Sequence, residues 1–62
     1  MNLSQEEPGA SVYNNLGVAY SNLNEFSLAA GAFKKAIAKG SNSLATYSNY
    51  AMVLSRMNRY PE

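Results

Sequence analysis

The chain has 62 residues, a net charge of +1, no cysteine and no histidine. That inventory excludes a disulfide scaffold, a thiol or imidazole metal site and a redox cysteine, and it removes the commonest general base and soft nucleophile of enzymes. A chain this short makes one small domain at most, with a core that rarely supplies more than about 3–5 kcal/mol.

Residues 1–9, MNLSQEEPG, read as a flexible N-terminal segment. They lack the basic and apolar regions of a signal peptide, and no apolar run in the chain is long enough to span a bilayer. No membrane association is expected, and cytoplasm is the default location.

The first helix is predicted from Tyr13, Leu16, Gly17 and Tyr20, which fall at i, i+3, i+4 and i+7 on one face. The break Asn22–Ser27 is too short for anything but an antiparallel turn. Asn24 is expected to cap the second helix through its side chain, and Glu25 suits the positive end of that helix. Ala29, Phe33, Ala36 and Ile37 form the second stripe. Lys34, Lys35 and Lys39 complement the negative end, and Gly40 follows as a glycine C-cap. Ser41-Asn42-Ser43 opens a third helix striped by Tyr47, Tyr50, Ala51 and Leu54, with Asn58 and Pro61 predicted to end it.

Two glycines stand inside helices. Gly17, with Ala29, is expected to let the first two helices approach, so that Gly17→Leu overpacks them while Gly17→Ala is mild or helpful. Gly31 is expected to weaken the second helix, with no reason legible in the sequence.

Shifted by 34 residues, the chain matches itself. Tyr13, Asn15, Ser21 and Asn24 recur as Tyr47, Asn49, Ser55 and Asn58. Leu16, Gly17, Tyr20, Leu23 and Phe26 are replaced by Tyr50, Ala51, Leu54, Met57 and Tyr60. A fixed period of this length marks a helical repeat. The placement of Tyr13, Leu16-Gly17, Tyr20, Ala29, Phe33 and Ala36 resembles the tetratricopeptide repeat, departing from it at Ser41, where the family usually has proline, and at Tyr13, where tryptophan is commoner. The resemblance implies an all-α, three-helix fold of α-solenoid type: one complete helix-turn-helix unit at 10–43, then the first helix and turn of a second unit at 44–62.

In that family the first helix of each unit lines a concave surface. Carried over by register, the inward positions are Ser11, Asn14, Val18, Ser21 and Asn22 from the first helix and Ala45, Ser48, Asn49, Met52, Ser55 and Arg56 from the third. An asparagine amide both donates and accepts, so it can pair with the backbone of an extended peptide. Asn49 resembles the asparagine of units that clamp a chaperone's C-terminal carboxylate. The rest of that clamp is missing, since Asn14 stands where lysine is needed and Val18 where asparagine is needed.

The implied function is a non-catalytic protein–protein interaction module, or a fragment of one, holding a peptide or helix in a neutral, Asn-lined groove. No cofactor is implied. The four carboxylates, Glu6, Glu7, Glu25 and Glu62, fall in termini or turns and offer no pair for acid–base work. Three lysines at one helix end do not make the clustered basic face that nucleic acid needs. The alternative is a self-assembling structural unit, a homo-oligomer or part of a longer array. The stripe Tyr47, Tyr50, Leu54 and Met57, with Val53 beside it, has no covering helix in the sequence and is expected to stay bare unless another chain covers it. A third reading is a non-catalytic piece of a larger enzyme or secretion factor.

Overall fold

A computed structural model describes residues 9–59. It has three helices in the order α1 (Ala10–Asn22), α2 (Phe26–Ala38) and α3 (Leu44–Arg59). α2 lies between the other two and packs on both. The N-terminal segment, Gly9 apart, and Tyr60–Glu62, with the expected stop at Pro61, lie outside the described residues.

Both turns close in the same way. At the end of α2, Gly40 takes φ 103°. Its amide donates to the carbonyl of Ile37, and the Ser41 amide donates to that of Ala36. This pair of bonds is the Schellman arrangement, which satisfies two carbonyls that the helix leaves open. At the end of α1 the left-handed residue is Asn24, with φ 62°. Its amide donates to Ser21, and the Glu25 amide donates to Tyr20. Asn24 therefore ends the first helix instead of starting the second. Glu25 is the N-cap of α2, and its side chain makes no capping bond. Asparagine is the commonest non-glycine residue to tolerate this conformation, because its short amide can bond locally. The start of α3 is as expected: the Ser43 hydroxyl accepts a bond from the Ala45 amide at 3.1 Å. Asn58 lies within α3 and does not end it.

The core is small. Ala29, Phe33 and Val53 are fully buried and in mutual contact, with Tyr20, Phe26, Ala30, Tyr50 and Met57 packed around them. α2 supplies most of it, burying Ala29, Ala32, Phe33 and Ala36. Gly17 is buried on α1. A methyl group added there would sit 2.6–2.8 Å from three atoms of the Phe33 ring. The close approach that the sequence places at Gly17 is thus real, and its nearest neighbour is the Phe33 ring. It leaves no room for even one carbon, so the mild outcome expected of Gly17→Ala does not hold.

α3 docks on the core through a face beside the stripe that was expected to stay bare. Thr46 and Val53 are buried, and Tyr50 and Met57 are half-buried, at i, i+7, i+4 and i+11. Val53, expected to be bare, has no exposed surface at all. Tyr50 and Met57, expected on the bare stripe, are partly buried against the core. The cause is that α3 has two apolar faces. The face that docks back on α2 lies about one position N-terminal to the stripe that α1 turns toward α2. Only Tyr47, Ala51 and Leu54 of the predicted stripe stay exposed.

Gly31 has no close neighbour: nothing lies within 4 Å of a methyl group placed on it. It sits mid-helix at an exposed position with ordinary helical backbone. Gly31→Ala is therefore expected to stabilise the chain by about 0.5–1 kcal/mol, the usual gain of alanine over glycine inside a helix. A higher urea midpoint with unchanged slope would register it; a lower one would show that the open space beside Gly31 is needed by the fold.

Candidate interaction surface

The expected groove residues lie on α1 and α3, to either side of α2. On α1, Val18 and Asn22 are exposed, while Asn14 and Ser21 are half-buried. On α3, Ser48, Met52 and Arg56 are exposed and Asn49 is half-buried. The two helices are joined through one polar link. Thr46 Oγ1 donates to Asn14 Oδ1 at 2.8 Å. Ser41 Oγ donates in turn to Thr46 Oγ1 at 3.1 Å. Thr46 is 1% exposed, so its hydroxyl needs both partners. Asn14 thus carries part of the packing between the repeat units, and its carbonyl oxygen is engaged.

The only charge among the eight candidate groove residues is Arg56. Its guanidinium carbon lies 5.9 Å from the centre of the Phe26 ring, within the range of a cation–π contact. No buried side-chain polar atom among the described residues lacks a hydrogen-bond partner, so the surface holds no internal polar debt that a ligand must repair.

The structure also holds a hollow that the sequence does not announce. It is an open hollow of about 280 Å³ between Tyr13, Leu16 and Tyr20 of α1 and Ser27, Leu28, Gly31, Ala32 and Lys35 of α2. Gly31 contributes to it by having no side chain. The Lys35 ammonium lies 5.7 Å from the centre of the Tyr13 ring. The signal for the hollow was in the sequence, as a glycine without a packing reason between Leu28 and Lys35, but only the absence of neighbours at Gly31 shows it.

The third feature is the uncovered side of α3. Tyr47 is 46% exposed and Leu54 45%, and Ala51 between them is also exposed. Their equivalents 34 residues earlier, Tyr13, Gly17 and Tyr20, are half-buried or buried beneath α2.

No helix among the described residues is long and apolar enough to cross a membrane. Nor do the described residues contain a cluster of His, Cys, Asp or Glu that could hold a metal ion. Comparison with curated proteins and with solved structures finds no match. The family model described as tetratricopeptide repeat matches residues 10–40, the whole of α1, α2 and the turn that ends them. With half of its length inside that model and the same pattern returning in α3, the chain belongs to the tetratricopeptide repeat family, whose helical units are protein–protein interaction modules.

Proposed function

We propose that the chain is a non-catalytic binding module that holds a peptide or helix of another protein along the neutral surface of α1 and α3. The residues assigned to that surface are Asn14, Val18, Ser21 and Asn22 with Ser48, Asn49, Met52 and Arg56. The observation that carries the reading is the near absence of charge on this face beside exposed Val18, at 36%, and Met52, at 43%. Apolar contact supplies affinity there, and the amides Asn22 and Asn49 supply direction.

The test starts from peptides selected against the intact chain from a random library. Replacing Asn22 and Asn49 by alanine together should weaken a selected peptide while leaving the helical signal unchanged. Each lost neutral hydrogen bond is worth about 0.5–1.5 kcal/mol, so the pair should cost about fivefold or more in affinity. Asn14 is left intact because Thr46 depends on it. Affinity should change little between low and physiological salt, since Arg56 is the one charge involved. Steep salt dependence would move the site to Lys34, Lys35 and Lys39.

The second reading, a self-assembling unit, is favoured by the apolar surface bare on α3. Leu44 at 81%, Tyr47 and Leu54 are exposed there on one 16-residue helix. Light scattering over a wide concentration range separates the two readings: a constant monomer mass leaves the binding module, and a defined larger mass favours self-assembly.

A further inference from the structure

The hollow between α1 and α2 shares no residue with the surface assigned to a peptide, and its shape and chemistry suit a different class of ligand. It runs along the two helices for about 10 Å, the rise from Tyr13 to Tyr20 at about 1.5 Å per residue. Its two ends differ. The Lys35 ammonium and the Tyr13 ring, 5.7 Å from ammonium to ring centre, stand at one. Tyr20 and Ser27, beside the turn, stand at the other. Between them lie the exposed apolar side chains of Leu16 and Leu28. Gly31 leaves this middle stretch open, with nothing within 4 Å of where a methyl group would be.

Size, hydrogen bonding and charge narrow the occupant. At about 280 Å³ the hollow falls just below the usual range of drug-sized sites, about 300–1,000 Å³. A helix, about 10–12 Å across with its side chains, lies over such a trough and not in it. Along most of its length the walls are helical, and their backbone groups bond within their own helix. An extended peptide laid here would therefore bury amides and carbonyls with few partners, which is unfavourable for each one. A hydrocarbon chain makes no such demand. The one charge on the lining is Lys35. The one carboxylate among the described residues, Glu25, lies ten residues before it, about 15 Å along the helix, and does not neutralise it.

We propose that this hollow binds a free medium-chain fatty acid. The alkyl chain lies along Leu16, Gly31 and Leu28, and the carboxylate meets the Lys35 ammonium. The best match is octanoate, whose extended chain is about as long as the trough. A longer chain must pass Ser27 into water. The inference does not rest on the peptide-binding surface, and either can fail without the other.

The test titrates the intact chain with the sodium salts of butanoate, hexanoate, octanoate and decanoate, followed by NMR through the amide shifts of Gly31 and Ala32. Affinity should rise about two- to fourfold per methylene up to octanoate, fourfold being the gain for a fully buried methylene, and then level off. Octanol should bind about two- to fivefold more weakly than octanoate, the worth of an exposed ion pair. Lys35→Gln should erase that preference. Lys34→Gln removes the same charge from a residue outside the lining and should leave it. Gly31→Leu should fill the trough and abolish binding. Gly31→Ala, the milder change, should weaken binding severalfold and keeps the test decisive if the leucine variant fails to fold. Absence of shifts at Gly31 and Ala32 in millimolar octanoate would overturn the proposal. So would a gain that continues unchanged to decanoate, equal affinity for octanol, equal effects of the two lysine changes, or shifts centred on Tyr47 and Leu54 of α3.

Discussion

Gly17→Ala is expected to destabilise the chain by about 1–3 kcal/mol, against the direction that helix propensity alone would give. Propensity favours the alanine by about 1 kcal/mol. Opposing it, the new methyl would stand 2.6 Å from the Phe33 ring. Phe33 has no exposed surface and shares the core with Ala29 and Val53, so its ring has nowhere to swing. Relief requires α1 and α2 to separate, which strips contacts from the whole hairpin, and overpacking of this kind costs about 1–3 kcal/mol even in larger cores. In a domain whose core supplies only about 3–5 kcal/mol, that shifts the urea midpoint by a large fraction of its value. The control is Phe33→Leu, which removes the ring atoms nearest the methyl. If the contact is the cause, Gly17→Ala should cost much less in the Phe33→Leu background, and the double-mutant coupling should be clearly different from zero. Equal costs in both backgrounds would mean that the two residues do not meet.

The same two positions show what could and could not be read from the sequence. The 34-residue offset and the stripe Tyr13–Leu16–Gly17–Tyr20 specify helices, their order and the hairpin, because side-chain periodicity follows directly from backbone geometry. They also mark Gly17 as a point of close approach. They do not name its neighbour, since Ala29 and Phe33 lie one turn apart on the same face of α2 and only the relative shift of the two helices chooses between them. Asn24 was ambiguous for a similar reason. In a turn this short, one residue stands both at the end of α1 and before the start of α2, and its positive φ, invisible in sequence, decides that it serves the first. The candidate groove was legible only as a register. That Asn14 is tied to Thr46 depends on how α1 and α3 meet around α2, a contact between residues 32 positions apart that no local pattern encodes.

Val53 and Leu54 turn that limit into a sharp expectation. They are adjacent in sequence and both apolar, and the sequence leads one to expect both to be bare, Leu54 on the stripe and Val53 beside it. In the structure a step of about 100° around the helix separates a residue with no exposure from one that is 45% exposed. Val53→Asp places a carboxylate against Ala29 and Phe33 with no cation in that cluster to pair with it. Burying an unpaired charge or forcing it to stay protonated costs several kcal/mol, enough to consume the stability of a core this small. Helical signal should be largely lost at neutral pH and partly regained on acidification, as the new carboxyl is neutralised. Leu54→Glu adds a charge in water on an exposed helix face, so helical content and urea midpoint should stay close to those of the parent. If the bare stripe mediates association, the same substitution lowers the mass seen by light scattering without unfolding the chain. Unfolding by Leu54→Glu with Val53→Asp tolerated would mean that α3 docks on α2 by the Tyr47–Leu54 face instead. Comparable tolerance would mean that α3 does not dock on α2 in solution at all.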